Sequence, residues 1–356
     1  MIFEGRTILV TGGTGSMGRT FVRRVLTGKH GTPKKVIVFS RDEAKQHDMR
    51  VSYLHKQAAT DEVIFRNFMN VLEFRIGDVR RYEDVLSALR DADIVVNAAA
   101  LKQVPTCEYF PEQALLTNCI GAANLVRAIH ANGNAVETVV AVSTDKACKP
   151  VNVMGMTKAI QERIFIAGNI LNPKTRFISV RYGNVLASRG SVIPLFHDQI
   201  RNGGPVTVTD ERMTRFLLSL EQAVDTVIAA LREAQPGETY VPRISSALVM
   251  NVAKALIGDR NIPIRVTGIR PGEKLHEILV SEEEAHHCVE RGSYYVIRPM
   301  LPELQGASTA GPNALNKEFS SADVILDFAE TEALLRNNNL MFKQEDTTMA
   351  AQGMLR

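Results

Sequence analysis

Thr7-Ile-Leu-Val-Thr-Gly-Gly-Thr-Gly-Ser-Met-Gly18 is the stretch whose reading decides the fold. Ile8 to Val10 is an unbroken apolar run of strand type, and Gly12, Gly15 and Gly18 follow on a G-x-x-G-x-x-G frame. The early glycines let backbone approach a pyrophosphate, and the last permits close packing of the helix that begins there. Phe21, Val22, Val25 and Leu26 then recur at helical spacing. Strand, glycine turn and amphipathic helix thus come in the order a dinucleotide-binding unit needs. Thr11, Gly12, Thr14, Gly15, Ser16, Met17 and Gly18 are the first candidate cofactor contacts. A tight turn without a ligand is the plainer reading of the same glycines.

Outward from this unit, strand-like runs end repeatedly in small or charged residues. Lys35 to Phe39 ends in Ser40-Arg-Asp-Glu43, with Lys45 close behind. An acid at that position suits the ribose 2′-hydroxyl of NAD, whereas an Arg suits the 2′-phosphate of NADP. Arg41 comes first, so Ser40, Arg41, Asp42 and Lys45 point to NADP rather than NAD; a plain surface arginine is the alternative. Glu73 to Ile76 leads to Gly77-Asp78-Val79, where Asp78 and Val79 would cup an adenine. Ile94 to Val96 leads to Asn97-Ala-Ala-Ala-Leu-Lys102, and the small Ala98, Ala99 and Ala100 leave room for a dinucleotide. Lys102, Cys107 and Glu108 are candidate substrate neighbours, although Glu108 reads equally well as a helix-terminal charge. Asn118 breaks the apolar stripe of Leu115, Leu116, Ile120 and Ala123, either beneath a cofactor site or exposed.

The chemistry is expected in Ser143-Thr-Asp-Lys-Ala-Cys-Lys-Pro-Val-Asn-Val-Met-Gly-Met-Thr-Lys158. It opens where the apolar run Val136 to Val142 gives out, so Ser143, Thr144, Asp145 and Lys146 fall at a parallel strand's C-terminal edge. Doubly wound sheets carry their ligands at that edge. A helix pattern begins near Val153, and Met154 and Lys158, at i and i+4, share one face. Phe177 to Val180 is a further strand, ending in Arg181-Tyr182-Gly183-Asn184-Val185, of which Tyr182, Gly183 and Asn184 are further candidate contacts.

Beyond it the strand–helix alternation weakens. Ser188, Arg189, Val192 and Pro194, candidate substrate contacts, lead into a helix through Phe196 and Ile200, and Val206 to Phe216 reads as a hairpin-like arm carrying two more, Thr209 and Arg215. Ala223 to Leu231 and Val249 to Leu256 read as helices. After a strand at Ile264 to Thr267, the loop Gly268 to Glu277 gathers Arg270, Glu273 and Lys274, a set suited to a diphosphate and a ribose, or to a solvated turn. The expected architecture is α/β: a Rossmann-type doubly wound parallel sheet with a smaller C-terminal α/β substrate lobe. Residues 1–185, with later segments returning, form the nucleotide domain; 186–340 form the lobe; 341–356 form a polar tail.

Bulk properties narrow the class. The 356 residues are 45% hydrophobic and 23% charged, with a net charge of +3 and the basic residues dispersed. That length buries a full core, and the dispersed charge is no nucleic-acid signature. Cys107, Cys119, Cys148 and Cys288 lack C-x-x-C spacing, and the adjacent His286 and His287 point apart on a helix, so neither a metal site nor a disulfide framework is expected. No run approaches the roughly 18 apolar residues of a membrane helix. The N-terminus lacks a leader pattern, and a cytoplasmic protein without membrane insertion is expected.

The motifs together resemble one family from about Phe3 to Met341. The glycine turn, Ser40-Arg-Asp-Glu43, Leu101-Lys-Gln-Val-Pro105, Ser143-Thr-Asp-Lys146, Arg181-Tyr-Gly-Asn-Val185, Met213-Thr-Arg-Phe216 and Gly272-Glu-Lys-Leu-His-Glu277 carry the resemblance. The chain is similar to extended short-chain dehydrogenases/reductases of the UDP-N-acetylglucosamine 4,6-dehydratase (inverting) type. Most of that superfamily reads Tyr-x-x-x-Lys where this chain has Met154 to Lys158. Glu318-Phe-Ser-Ser321 and Leu334-Leu335 also look like the capsule and O-antigen branch that keeps Met-x-x-x-Lys. The resemblance implies oxidation at the sugar's C4 by NADP, loss of water across C5 and C6, reduction at C6 and inversion at C5. Lys146 is the implied C5 base and Asp145 the implied acid at the C6 hydroxyl; Thr144 bonds the sugar and Lys158 holds the nicotinamide ribose. Since a thioether accepts hydrogen bonds only weakly, Asp145, or a water between it and Lys158, is expected to take the C4 hydroxyl proton. A UDP-N-acetylhexosamine is the implied substrate and a homo-oligomer, hexamer or dimer, the implied assembly. A UDP-sugar 4-epimerase, a 5,6-dehydratase and a non-catalytic NADP-binding regulator remain alternative readings.

Overall fold

The structure is a computed structural model, described over residues 1–54, 62–132, 136–186, 191–305 and 312–342. Of the expected tail 341–356, Met341 and Phe342 are described and pack against the core of the smaller unit, so they are not tail. Residues 343–356 and the expected contacts Ser188 and Arg189 lie outside the described residues. The chain forms two compact units. The larger holds Met1–Tyr182, Leu220–Arg243 and Ile278–Phe319; the smaller holds Gly183–Ser219, Ile244–Glu277 and the chain from Ser320 onward.

The central strands of the larger unit, Thr7–Thr11, Ile94–Asn97 and Thr138–Val142, are almost wholly buried, the mark of a sheet covered on both faces, whereas the edge strand Leu72–Ile76 is half-buried. The unit's elements are β1 (Thr7–Thr11), α1 (Ser16–Leu26), β2 (Lys35–Ser40), α2 (Glu43–Leu54), α3 (Glu62–Val71), β3 (Leu72–Ile76), α4 (Tyr82–Leu89) and β4 (Ile94–Asn97). Then follow α5 (Val104–Tyr109), α6 (Pro111–Ala114), α7 (Gly121–Asn132), β5 (Thr138–Val142), α8 (Val153–Leu171) and β6 (Arg176–Val180). The six strands pair in parallel in the order β3-β2-β1-β4-β5-β6. Thr239–Pro242 adds in parallel beside β6, and Tyr294–Ile297 and Cys288–Arg291 extend the sheet antiparallel. Strand order reverses between β1 and β4, the switch point at which such sheets open a ligand crevice. The register puts Thr11 opposite Asn97, Asn97 opposite Ala141 and Val142 opposite Val180, so four strand ends share one edge.

Leu9, Ile37, Val95, Val139 and Phe177 on the sheet pack with Leu125, Ile129 and Phe165 on the helices. Each such side chain contributes about 1.5–3 kcal/mol when taken from water, so the edge rests on a stiff platform. Between α6 and α7, Leu115–Ile120 winds as a π-helical turn, a feature often found at functional sites.

In the smaller unit the sequence reading needs correction. Val206–Val208 and Thr214–Leu218 are not partners in a hairpin. The first pairs in parallel with Ile264–Val266, and the second lies between Asn184–Val185 and Ser246–Leu248. Val206, Val208 and Met213 all enter one core with Ile193, Phe196 and Leu256, and a two-stranded arm could not bury them all. In the larger unit, His286 and His287 are not within a helix either. Ser281 and Glu284 form a capping box around the single turn Glu282–Ala285, and the chain then turns into Cys288–Arg291. Among the described residues no helix is long and apolar enough to cross a membrane.

Candidate active site

At the end of β1 the backbone runs close against β4. Thr11 Oγ1 donates to Asn97 Oδ1 at 2.7 Å, and the Ala98 amide reaches the Thr11 carbonyl at 3.1 Å. Gly12 has φ +65°, and a Cβ there would stand 2.7 Å from the Ala99 nitrogen, so only glycine fits. Gly15 N-caps α1 with no side-chain bond, and no acid occupies the first turn. The N–H groups of this helix start, beside half-buried Ser16 and Met17 and buried Thr14, could hold a pyrophosphate. At Gly18 a Cβ would collide with Gly13 at 2.6 Å, which keeps α1 tight on the turn.

The ends of β2 and β3 supply charge. The Arg41 side chain is half exposed and lies 3.7 Å from Asp78, which Arg80 also grips at 2.6 Å. Burial would raise the Asp78 carboxyl, but Arg80 and Arg41 hold it below its ordinary range. Asp42 accepts from the Lys45 amide at 3.0 Å and pairs with its ammonium, while Ser40 Oγ accepts from Gln46. Val79 is buried, and its carbonyl accepts from Asn124. These donors and acids fit a dinucleotide lying across the strand ends, past Ala98, Ala99 and Ala100.

The turn after β5 continues the β5–β6 ladder. Ser143 N reaches Val180 O at 2.7 Å and Asp145 N reaches Tyr182 O at 3.1 Å. Thr144 caps the 3-10 turn Asp145–Ala147, accepting from Lys146 N and donating to Asp145 Oδ1 at 3.0 Å. Lys146 Nζ lies 3.0 Å from the same oxygen; Asp145 is fully buried, whereas the Lys146 side chain is 21% exposed. One partner is thus fixed and dry, and the other keeps an outlet. Asn152 caps α8 through Gly155 N at 2.8 Å. A Cβ on Gly155 would meet Lys146 O at 2.1 Å, so glycine lets α8 lie directly on the turn.

Met154 occupies a dry place. It is buried with Cys107 and Ala114, against Leu101, Val104 and Val153. Cys107 therefore does not face a substrate as the sequence suggested: it is fully buried, its Sγ lies 3.7 Å from Leu101 O, and burial pushes its thiol up to about 11. Glu108 accepts from Val153 N at 2.7 Å and so serves the start of α8, while Lys102 is exposed. Asn118, buried in the π-helical turn, accepts from Leu101 N and donates to Leu101 O and Thr157 Oγ1, which ties the loop after β4 to α8.

Lys158 is 5% exposed and donates to Val142 O at 2.6 Å and to Gln161. Burial lowers its ammonium to about 8, against the opposing pull of Glu162 and Cys119. Below it lies a group of charges to which the sequence reading gave no role. Arg181 bridges Glu162 and Glu284 at 2.6 and 2.7 Å. Only the i+4 spacing from Lys158 to Glu162 could have drawn notice, because Glu284 lies more than a hundred residues away. Tyr182 is buried, and its hydroxyl has no partner among the described residues.

The smaller unit carries the remaining candidates. Asn184 pairs with Leu217 directly after Gly183, Val192 and Pro194 open the helix Val192–Arg201, and Thr209 is half-buried. Arg215 is not presented to solvent: it holds the carbonyls of Thr214, Lys274 and Leu275 and lies 3.9 Å from Glu277. Arg270 is exposed, and a Glu273 carboxylate oxygen is buried without a partner among the described residues.

A family model described as polysaccharide biosynthesis protein matches residues 8–299. A relative from Campylobacter jejuni, named UDP-N-acetylglucosamine 4,6-dehydratase (inverting), is 41% identical over 320 residues, covering 89% of this chain and 90% of that protein. A relative from Rickettsia bellii, named UDP-glucose 4-epimerase, is 44% identical over 301 residues, covering 83% of this chain and 84% of that protein. Among solved structures, Pen from Bacillus thuringiensis superposes with a TM-score of 0.85 at 33% identity, covering 96% of this chain and all of that one. With its glycine turn, its strand order and its Asp-Lys turn at the β5 edge, the chain belongs to the polysaccharide biosynthesis protein family of extended short-chain dehydrogenases/reductases.

Proposed function

We propose that this enzyme is a UDP-N-acetylglucosamine 4,6-dehydratase that inverts C5, yielding UDP-2-acetamido-2,6-dideoxy-β-L-arabino-hexos-4-ulose for surface polysaccharide synthesis. The observation that carries the reading is the Asp145–Lys146 pair, 3.0 Å apart at the C-terminal edge of β5. A nicotinamide nucleotide, which Arg41 and the glycine turn after β1 would hold and which the charge of Arg41 and Lys45 marks as NADP, would supply the hydride chemistry between C4 and C6 of the sugar. The protein's own groups do the rest. Thr144 bonds the sugar, and Asp145 takes the C4 hydroxyl proton. Once C4 is a ketone, the C5 proton is acidic and Lys146 removes it, which requires Lys146 to stand as the neutral amine once Asp145 has taken the C4 hydroxyl proton. Asp145, now protonated, delivers its proton to the C6 hydroxyl, which leaves as water. Once C6 is reduced, C5 takes a proton from solvent on the face opposite Lys146, which inverts it, and Lys146 gives its proton back to solvent. Lys158 holds the ribose and keeps positive charge beneath the reacting centre. Arg270 and Glu273 are assigned to the diphosphate and ribose of the UDP portion.

A 4-epimerase is the second reading, supported by the name of the Rickettsia relative. It would use the same first oxidation and leave the Asp145–Lys146 pair idle. Exposed Tyr109, Phe110, Leu115, Ile120, Val151 and Met156 support a homo-oligomer, and a cytoplasmic site suits a sugar-nucleotide enzyme. The test is incubation of the purified protein with UDP-N-acetylglucosamine in deuterated water. Loss of one water with deuterium at C5 and inverted configuration is expected. UDP-N-acetylgalactosamine as the product would establish the epimerase instead.

A further inference from the structure

The four charged groups Lys158, Glu162, Arg181 and Glu284 lie within the larger unit, all less than a tenth exposed. Arg181 follows β6 directly. Its Nε and Nη2 reach the two Glu162 oxygens at 3.1 and 2.6 Å, its Nη1 and Nη2 reach Glu284 at 2.7 and 2.9 Å, and Nη1 also reaches Leu279 O at 2.9 Å. Glu284 is itself fixed by the Ser281 amide at 3.1 Å. Two carboxylates and one guanidinium leave this group one negative charge in excess. Lys158 stands one turn before Glu162 on α8, on the same face, and its ammonium brings the sum to zero. Glu162 also accepts the hydroxyl proton of Ser143, the residue that opens the Thr144–Lys146 turn.

We propose that Glu162, clamped by Arg181, is a positioning residue in two ways. Its carboxylate is the counter-charge that keeps Lys158 cationic inside the protein, and its bond to Ser143 holds the turn bearing Asp145 and Lys146. The proposal rests on the reading in which Lys158 works as a cation. The geometry favours Glu162 over the other charges around Lys158. Cys119 on the π-helical turn donates to Thr157 O, and burial raises its thiol. Asp145 and Lys146 pair with each other, Cys107 is a buried thiol, Glu108 is engaged at Val153 N, and Glu284 is held on the far side of Arg181. A buried cation whose single adjacent carboxylate is removed titrates about 1–3 pH units lower.

The test reads Lys158 directly, by NMR of full-length protein carrying ε-13C lysine, with the resonance assigned from Lys158→Arg. The midpoint, near 8 in the unaltered protein, is expected to fall by at least about one pH unit in Glu162→Gln. The alkaline limb of turnover is expected to move with it. An unmoved midpoint in folded Glu162→Gln overturns the proposal. Should that variant fail to fold, the triple variant Glu162→Gln, Arg181→Met, Glu284→Gln removes the excess charge without stranding a partner. It must show the same fall. Ser143→Ala isolates the hold on the turn. In that variant kcat is expected to drop several-fold, on the order of one lost hydrogen bond, with the Lys158 midpoint unmoved. Unchanged kcat in Ser143→Ala removes that role from Glu162. If the unaltered protein fails to turn over the sugar nucleotide while the Glu162 shift is intact, the dehydratase reading fails and the charge pairing stands.

Discussion

Two places at the same sheet edge differ in everything but position. The turn Thr144–Lys146 holds a buried carboxylate with a partly exposed ammonium and a hydroxyl each 3.0 Å from it. At the start of α8, Met154 lies in an apolar cluster with Cys107, Ala114, Leu101, Val104 and Val153. The superfamily resemblance implies a phenol at the second place. Here that place is core, and the proposed function assigns proton transfer to the first. On that proposal the difference teaches that a reaction can keep its backbone frame while its acid–base group moves along the edge.

The largest effects should come from breaking the polar side of that comparison. Asp145→Asn and Lys146→Met each remove a group to which the proposed function assigns proton transfer and are expected to lower kcat by about 10²–10⁴-fold, with nucleotide binding retained. Rapid-quench measurement of the 4-keto sugar checks this. If Asp145→Asn kept full C4 oxidation, the carboxylate would not be the C4 base.

Lys158, four residues after Met154 on α8 and bonded to Val142 O just before the turn, ties function to stability. Its folded value of about 8 is below the ordinary 10.5, so the fold disfavours the charged form. Below about pH 8 the full penalty applies, and it is relieved as pH rises toward 10.5. Lys158→Met should therefore lose activity yet unfold at higher urea. The gain near pH 7 is at most about 3 kcal/mol, reduced by the loss of the bonds to Val142 and Gln161, and it should fade near pH 10.5. An equal gain at both pH values would show that burial of charge is not its cause.

The apolar place should answer differently. Met154→Tyr restores the residue type usual in the superfamily but forces a larger ring and a hydroxyl into a packed cluster. The expected cost is about 1–3 kcal/mol of stability, read by urea unfolding, with most of the turnover retained. A large rise in turnover would mean that the site lacks a proton acceptor without it.

The parts of the fold written locally were legible in sequence. The strand and glycine turn at Thr7–Gly18 carry their own periodicity and punctuation, and they fall at the switch point of the sheet. The Ser143–Lys158 stretch was legible for the same reason, because a strand end, a turn and a helix cap are adjacent in the chain. What was not legible depends on distant partners. Val206–Val208 pairs with a strand some sixty residues on, so its short apolar run suggests half of a hairpin. Cys107 reads as a loop residue until Met154, nearly fifty residues later, closes over it. Arg181 stands out only as part of a motif, because its partners Glu162 and Glu284 are brought from either side. The π-helical turn at Leu115–Ile120 has no sequence signal, since the same apolar stripe suits an ordinary helix.

The smallest effect concerns the far end of the crevice, where neither Met154 nor the turn takes part. Arg41 is half exposed, and its nearest described acid is Asp78 at 3.7 Å, which Arg80 already neutralises more closely. Its guanidinium is therefore free enough to turn toward a 2′-phosphate, and Lys45, paired with Asp42, is less so. Arg41→Ala is expected to reduce the preference for NADP over NAD by about tenfold, the low end for a charge-assisted contact at an exposed site. Calorimetric titration of both nucleotides, at two salt concentrations, checks it. The preference should weaken in salt for the unaltered protein and hardly change for the variant. Turnover at saturating nucleotide should be the same in both, because Arg41 touches nothing near Asp145 or Met154. A fall in kcat would mean that the nucleotide's distance from the turn depends on Arg41, and that the edge works as one unit.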